Sequence, residues 1–256
     1  MKTTVENIKA MKGKSKIAML TSYDYSMAKL VDAAGVDMIL VGDSLGMVQL
    51  GYTTTQKVTV KDMLFALRGV RNAVKSALVI LDMPYQSYDE KEVSLENATL
   101  FMENGADAVK VENKPEIVTF LVKNDIPVQG HIGLTPQTIT DFKVQGRTEE
   151  QAEQLLSSAK EIEHAGAFSL VLESVPATLA KKITESISIP TIGIGAGLDC
   201  DGQVLVVNDM LGLFTDFKPK FVKKYAQLGE EVKKAVSAYV KEVKEKKFPS
   251  EEFWFR

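Results

Sequence analysis

The chain has 256 residues, 45% hydrophobic and 25% charged, with 31 Lys+Arg against 34 Asp+Glu and a formal net charge of −3. That composition excludes disordered, collagen-like and disulfide-stapled classes. The near-neutral balance lacks the basic excess of a nucleic-acid binder.

Short apolar runs alternate with longer segments of helical period along the whole chain. The first predicted strand is 16–21, followed by a helix over 25–34 and a strand over 37–41. Next come a helix over 60–73, a strand over 77–81, a helix over 90–104 and a strand over 108–111. A helix over 115–123 and a strand over 127–130 follow, then a helix over 149–165 and a strand over 168–172. The series ends with a helix over 176–185, strands over 191–194 and 204–207, and a charged amphipathic helix near 223–247. Too few residues separate the last two strands for a helix between them. The strands are apolar almost throughout, the pattern of parallel strands covered on both faces.

Strict βα alternation leaves an open doubly wound sheet or a closed barrel. Eight strands favour the barrel, as does the lack of a Gly-rich phosphate turn after the first strand. Barrels of this kind run to roughly 200–250 residues as one domain, and no linker interrupts the alternation. The expectation is an α/β fold, a (β/α)8 barrel with an added C-terminal helix, as a single domain over 1–256.

Three segments repeat a pattern of helix end, small residue, Gly, strand and carboxylate: Ala34-Gly35 to Asp43, Asn104-Gly105 to Glu112, and Ala165-Gly166 to Glu173. The glycines suit left-handed positions that end each helix. No apolar run approaches the ~18 residues of a membrane span. The N-terminus carries no signal-peptide core, and Cys200, the single cysteine, has no partner for an intrachain disulfide. A cytoplasmic location without membrane contact is the expectation.

In a (β/α)8 barrel the active site lies at the C-terminal face, on strand ends and the loops that follow. Those ends carry Asp43 and Ser44, Asp82, Lys110 and Glu112, His131, and Glu173. Five strands thus deliver ionisable groups to one rim. Lys110 and Glu112, two apart, share one face of their strand. Burying such groups unpartnered costs several kcal/mol each, so a cation and an anionic substrate explain the cluster better than capping does. The oxygen-rich donor set, with one histidine and no thiolate, favours a hard divalent ion such as Mg²⁺. Asp43, Asp82 and Glu112 lie on adjacent strands and could share that ion. Glu173, further round, is placed as a base on the opposite side of a substrate.

Other features read as structural. Gly193-Ile194-Gly195-Ala196-Gly197 could bring backbone amides close to an anionic ligand, but it does not satisfy a dinucleotide fingerprint and sits where turns need glycine. His164 falls in the last turn of a helix, where a cation suits the dipole. Cys200, between Asp199 and Asp201, is a poor nucleophile, because flanking acids raise a thiol pKa.

Longer strings at the strand ends carry a resemblance. Thr21-Ser22-Tyr23-Asp24-Tyr25-Ser26, Val41-Gly42-Asp43-Ser44-Leu45-Gly46-Met47, Lys110-Val111-Glu112, Gly130-His131-Ile132-Gly133-Leu134-Thr135-Pro136-Gln137, Lys143 to Arg147, Leu172 to Pro176 and Ile192 to Gly197 occur in this order. Together they resemble the ketopantoate (3-methyl-2-oxobutanoate) hydroxymethyltransferase family, from about Ile17 to the Phe248–Glu252 tail. The resemblance implies a TIM barrel of the phosphoenolpyruvate/pyruvate type, assembled as a homodecamer. It implies transfer of a hydroxymethyl group from 5,10-methylenetetrahydrofolate to 3-methyl-2-oxobutanoate, giving 2-dehydropantoate and tetrahydrofolate, early in pantothenate synthesis. Asp43, Asp82 and Glu112 match the family's Mg²⁺ positions. Asp43, Ser44, Asp82 and Lys110 match ketoacid-binding positions, His131 lies near the substrate, and Glu173 matches the catalytic base. Two departures stand out: the Thr140-Asp141-Phe142 loop is short for the family, and the tail after Glu252 is aromatic. An alternative is a Mg²⁺-dependent oxoacid lyase or mutase on the same barrel, although the Lys-Lys-Cys-Gly-His string of isocitrate-lyase-type enzymes is missing. A non-catalytic oxoacid- or folate-binding barrel is a further alternative, which the intact set of charged residues opposes.

Overall fold

A computed structural model describes residues 2–139, 143–216 and 219–255. Thr140, Asp141 and Phe142, where the sequence departs from the family pattern, lie outside the described residues. The chain divides into two compact units, 1–206 and 207–256.

The first unit is a closed parallel barrel of eight strands paired in chain order, the last returning to the first. The strands are β1 (Ile17–Thr21), β2 (Met38–Val41), β3 (Leu78–Asp82), β4 (Ala108–Glu112), β5 (Val128–Gly133), β6 (Ser169–Glu173), β7 (Thr191–Ile194) and β8 (Gly202–Leu205). Its helices are α1 (Val5–Ala10), α2 (Tyr25–Ala33), α3 (Leu45–Val48), α4 (Val60–Ala73), α5 (Lys91–Glu103), α6 (Pro115–Lys123), α7 (Glu149–His164) and α8 (Ala177–Ser186). The second unit holds α9 (Val207–Met210) and α10 (Leu228–Lys244).

Local chemistry explains the boundaries. Thr59 caps α4 and Thr148 caps α7, each reciprocated by the side chain three residues on, Asp62 and Gln151. Such reciprocal caps satisfy donors that a helix start leaves orphaned. Gly35, Gly105 and Gly166 all have positive φ just beyond their helices, as the repeat predicts. The β7–β8 connection is a loop.

The eighth strand lies two residues earlier than the sequence suggests. Gly202 pairs with Ile17, and a Cβ there would stand 2.5 Å from the Ile17 carbonyl oxygen. Glycine allows that approach but carries no strand signal of its own, which hides the true start. Three further helices escape the sequence reading, α1, α3 and α9. Helix α1 closes the N-terminal end of the barrel. Its flanking residues reach Ser76 before β3, Asp107 before β4 and Asp201 before β8, the last through a 2.8 Å Lys12–Asp201 ion pair.

The core consists of strand residues facing outward to the helices and inward to the axis. A Cβ on Gly130 would meet Ile162 of α7 at 2.3 Å, so Gly130 faces the helices and lets α7 pack close. Strand alternation then turns Gln129 and His131 toward the barrel axis. In the second unit, α10 has no buried residue and exposes Val232, Val236, Tyr239, Val240 and Val243. Phe248 stacks near Tyr239 at 5.5 Å and Phe253 at 6.0 Å.

Candidate active site

Strand register sets the site. Asp82 pairs in register with Lys110, Lys110 with Gln129, Glu112 with His131, and Gly133 with Glu173. Alternation therefore stacks Lys110 and Glu112 on the inner face of β4 beside Gln129 and His131 on β5. Asp82, Glu112 and Glu173 are the last residues of their strands rather than the first residues beyond them.

Two backbone kinks follow those acids. Asn113 and Ser174, immediately after Glu112 and Glu173, have φ of 43° and 51°. Left-handed residues of this kind are sparse outside glycine and turn the chain sharply. Gly133 makes the β5–β6 exit possible: its φ is 98°, and a Cβ would lie 2.3 Å from the Glu173 carbonyl oxygen. Gly42 does the same on β2, where a Cβ would stand 2.9 Å from Ser44 Oγ and 3.4 Å from Asp82 Oδ2.

The side chains form one connected group. Asp82 Oδ2 accepts the Asp43 backbone N–H at 3.0 Å, and Asp82 Oδ1 is 2.7 Å from Lys110 Nζ. His131 Nδ1 lies 3.2 Å from Glu112 Oε1 and 3.2 Å from Lys110 Nζ. Its Nε2 faces Glu173 Oε2 at 3.4 Å, a charge contact longer than a good hydrogen bond. Ser44 stands apart from this chain, its Oγ 2.9 Å from the Tyr23 hydroxyl.

Burial makes the charges matter. Asp43, Asp82, Lys110, Glu112 and His131 are buried, whereas the Glu173 side chain is 17% exposed, the most open of the group. Burial, reinforced by the charges of Asp82 and Glu112, pushes the Asp43 carboxyl up to about 8. Burial alone would lower Lys110, but Asp82, Glu112 and Asp43 outweigh it and hold the ammonium above the usual range. Burial and Lys110 both work against a charged His131, yet its bonds to Glu112 and Glu173 raise it to about 9. Burial would raise Glu112; the bond from His131 and its charge bring it down instead. Glu112 and Glu173, on either side of the ring, thus favour its charged form, while Lys110 Nζ beside Nδ1 opposes it.

Gln137, which the sequence reading passed over, joins the carboxylates. Its Nε2 donates to Asp43 Oδ2 at 2.8 Å and to the Met83 carbonyl at 2.9 Å, and its backbone N–H donates to Glu112 Oε2 at 3.2 Å. Tyr88, also missed, donates its hydroxyl to Gln137 Oε1 at 2.5 Å. Neither carries a charge, and Tyr88 lies in a loop with no periodicity. The only signal for Gln137 was its place in the string that begins at Gly130.

Among the described residues, no three His, Cys, Asp or Glu side chains converge as a ready-made metal-binding group. Glu112 has both oxygens engaged by His131 and Gln137, while Asp43 and Asp82 stand next to each other. The charge count still fits a divalent ion. Asp82, Glu112 and Glu173 oppose Lys110 and His131, which leaves one negative charge uncompensated, and Asp43, raised by burial among like charges, supplies a second when a cation displaces its proton. Mg²⁺ ordinarily takes one or two carboxylates and fills its remaining positions with water and substrate oxygens, so a carboxylate pair suffices.

The remaining features are structural. Cys200 is free and buried; burial raises its thiol first, with the Asp201 charge a lesser contributor. His164 Nδ1 meets the Lys160 carbonyl one turn back at 2.6 Å. Gly195 and Gly197 adopt positive φ in the β7–β8 loop.

Comparison with known proteins completes the picture. A family model described as ketopantoate hydroxymethyltransferase matches residues 2–251. A 3-methyl-2-oxobutanoate hydroxymethyltransferase of Clostridium botulinum (strain Langeland / NCTC 10281 / Type F) is 53% identical over 265 residues, covering 100% of this chain and 96% of the relative. One from Dehalococcoides mccartyi is 54% identical, covering 98% of this chain and 92% of its own. Among solved structures, a 2,3-dimethylmalate lyase of the PEP mutase/isocitrate lyase superfamily aligns with a TM-score of 0.62 at 15% identity, covering 100% of this chain and 93% of that chain. A phosphonopyruvate hydrolase in complex with oxalate and Mg²⁺ aligns with a TM-score of 0.66 at 11% identity, covering 96% and 89%. These two share the barrel.

Proposed function

The chain belongs to the ketopantoate hydroxymethyltransferase family and carries out the ketopantoate-forming step of pantothenate synthesis on 3-methyl-2-oxobutanoate, for which we propose a Mg²⁺-dependent route with 5,10-methylenetetrahydrofolate as the one-carbon donor. The observation that carries this route is the buried rim cluster in which Asp43, Asp82, Glu112 and Glu173 outnumber Lys110 and His131, with Glu173 the least buried of the acids.

Asp43 and Asp82 would hold the ion, with Glu112, its oxygens engaged by His131 and Gln137, adding negative charge nearby. When bound, the ion supplies Lewis-acid polarisation of the keto oxygen of a chelating 2-oxoacid. Lys110, fixed by Asp82, offers a positive charge to the ketoacid's carboxylate or keto oxygen, and Ser44, held by Tyr23, offers a hydroxyl. Glu173 takes the proton from C3. It is the least buried acid of the group, so its proton can leave to solvent, and His131 Nε2 faces it to fix its orientation. One C–N bond of the methylene bridge opens to an iminium, and the C3 electron pair forms the new C–C bond to that carbon. Water then replaces the second C–N bond and supplies the hydroxyl, while the C3 proton and the second proton of water end on the two folate nitrogens as tetrahydrofolate leaves. General-base steps of this kind contribute about 10²–10⁴-fold in rate.

A lyase or mutase reading has only the barrel in its favour, since those neighbours share 11–15% of residues. NMR of 3-methyl-2-oxobutanoate in D2O separates the readings. With enzyme and Mg²⁺, C3 exchanges deuterium without folate, and ketopantoate forms only when methylenetetrahydrofolate is added. Cleavage of the ketoacid, or failure of exchange with active protein, would overturn the proposed route.

We further propose that the chain works as a homodecamer in the cytoplasm. The apolar stripe Val232, Val236, Tyr239, Val240 and Val243 on α10 supports self-association, and among the described residues no helix is long and apolar enough to cross a membrane. Sedimentation velocity reads the assembly directly: a monomer at micromolar concentration would discard it.

A further inference from the structure

We infer that Gln137 is a positioning residue for the cation site, oriented by Tyr88 and acting through Asp43 and Glu112. This rests on the reading of Asp43 and Asp82 as the residues that hold the ion.

The argument begins with hydrogen-bond capacity. A glutamine amide has two N–H donors on nitrogen and an acceptor oxygen. Gln137 is 1% exposed, so water cannot replace a missing partner. Both Nε2 hydrogens are used, one on Asp43 Oδ2 and one on the Met83 carbonyl, at 2.8 and 2.9 Å. The Met83 carbonyl cannot donate, and Oε1 is already the acceptor of the Tyr88 hydroxyl. A flipped amide would set oxygen against the Met83 carbonyl oxygen, so the orientation is fixed. The Tyr88 hydroxyl, donating to Oε1 at 2.5 Å, holds the opposite end of the amide. The main chain of Gln137 is anchored as well, since its carbonyl accepts from Gln56 Nε2 at 2.9 Å.

The second step is topological. Asp43 follows β2, Met83 follows Asp82 at the end of β3, and Glu112 ends β4. One residue from the segment after β5 therefore bonds to the exits of the three strands that carry Asp43, Asp82 and Glu112. Its side chain meets Asp43 and its backbone N–H meets Glu112, so it sets both the rotamer of Asp43 and the spacing between two carboxylates of like charge. A neutral amide can do this without altering the charge count at the site, whereas a lysine would cancel the excess that attracts a cation. Hydrogen-bond partners of ligating carboxylates typically affect metal affinity by 10–100-fold.

The test uses Mn²⁺ alone as probe, with free ion read by electron paramagnetic resonance on full-length protein. Gln137→Met preserves shape and the backbone bond to Glu112 while removing both side-chain donors. It is expected to weaken Mn²⁺ binding by about 10–100-fold, with KM for 3-methyl-2-oxobutanoate rising in parallel and kcat changing less. Tyr88→Phe removes only the hydroxyl that orients the amide, and about a threefold to tenfold weakening is expected, the scale of one hydrogen bond. Asp43→Asn is the reference for loss of the site. Wild-type Mn²⁺ affinity in a folded Gln137→Met protein, with binding lost in Asp43→Asn, overturns the inference and leaves the metal reading standing. Wild-type binding in Asp43→Asn overturns the metal reading itself. Thermal unfolding separates positioning from packing, because a purely structural role lowers Tm without moving the affinity of the folded protein. Should Gln137→Met not fold, Tyr88→Phe decides: threefold or greater weakening supports the inference, and unchanged affinity overturns it.

Discussion

Replacing Lys110 by Met tests the charge arrangement most directly. Lys110 Nζ lies 2.7 Å from Asp82 Oδ1, and both side chains are about 5% exposed or less. At an effective dielectric constant of about 20, that separation corresponds to an attraction of roughly 6 kcal/mol. Hydration of the ammonium in the unfolded chain offsets part of it, and removing one partner of a buried pair typically costs about 3–5 kcal/mol. A second route gives the same scale. The carboxylate left behind can discharge by taking up a proton, and protonating an ordinary aspartate at pH 7 costs about 4 kcal/mol. The penalty is therefore about 3–4 kcal/mol at pH 7 without Mg²⁺, falling toward about 1.5 kcal/mol at pH 5, where that proton is easier to bind. Urea unfolding of wild type and Lys110→Met in EDTA at both pH values measures it. A penalty under 1 kcal/mol at pH 7, or one that does not shrink at pH 5, would refute the reasoning and indicate that Asp82 is stabilised by its bond from the Asp43 N–H rather than by the lysine.

Three further predictions follow from the same geometry. Glu173→Gln loses C3 proton exchange by about 10²–10⁴-fold while 3-methyl-2-oxobutanoate still binds, as NMR exchange and calorimetry would show; exchange near the wild-type rate removes Glu173 as the base. Metal-free protein loses thermal stability as pH rises from 6.5 to 9, because Asp43 is raised from 3.8 to about 8 and His131 from 6.5 to about 9. Groups whose folded pKa is raised stabilise below the unfolded value and lose that contribution as pH climbs through the folded one; a Tm that is flat or rises over this window contradicts it. Gly133→Ala destabilises by about 2 kcal/mol or more and lowers kcat, since positive φ alone costs about 1–3 kcal/mol and the added Cβ meets backbone 2.3 Å away. Gly13→Ala is the control, having positive φ but nothing within 4 Å; equal losses in both variants would show that contact with Glu173 is irrelevant.

The legible part of the fold was the part written in apolar periodicity. Strand β7 (Thr191–Ile194) and helices α4 and α6 have the bounds read from the sequence, because their limits coincide with caps, prolines or sharp changes in polarity. Strand β8 was displaced because its first residue is Gly202, which contributes close approach to Ile17 rather than a side chain. Helix α1 was invisible for a different reason: six residues with a single buried contact, Ile8, leave almost no periodic signal. At the site, charge was legible and geometry was not. An acid at a strand end can be seen in a sequence; that His131 lies between Glu112 and Glu173 cannot, since the pairing of β4 with β5 and of β5 with β6 decides it. Gln137 illustrates the same limit, its importance residing in which acceptors surround a neutral amide.

The polar groups of the site also differ in exposure, and the difference bears on chemistry. One neutral buried pair, Gln129 donating to Ser169 Oγ at 2.9 Å, lies in register with Lys110. Lys110 joins Asp82, and His131 joins Glu112. Glu173 is the acid with the greatest exposure and the longest contact to its partner, 3.4 Å. Interactions of fixed charges strengthen as water is excluded, so the groups meant to hold an ion and an oxoacid sit where burial makes them rigid. A base must instead take up and release a proton at each turnover, which requires access to water and a partner that does not grip it tightly. The difference in exposure thus supports the proposed division, in which Asp43, Asp82 and Lys110 hold and Glu173 transfers the proton. The reverse assignment would require Asp82 to give up its 2.7 Å bond to Lys110 in every cycle, at a cost on the scale that the Lys110→Met measurement would read.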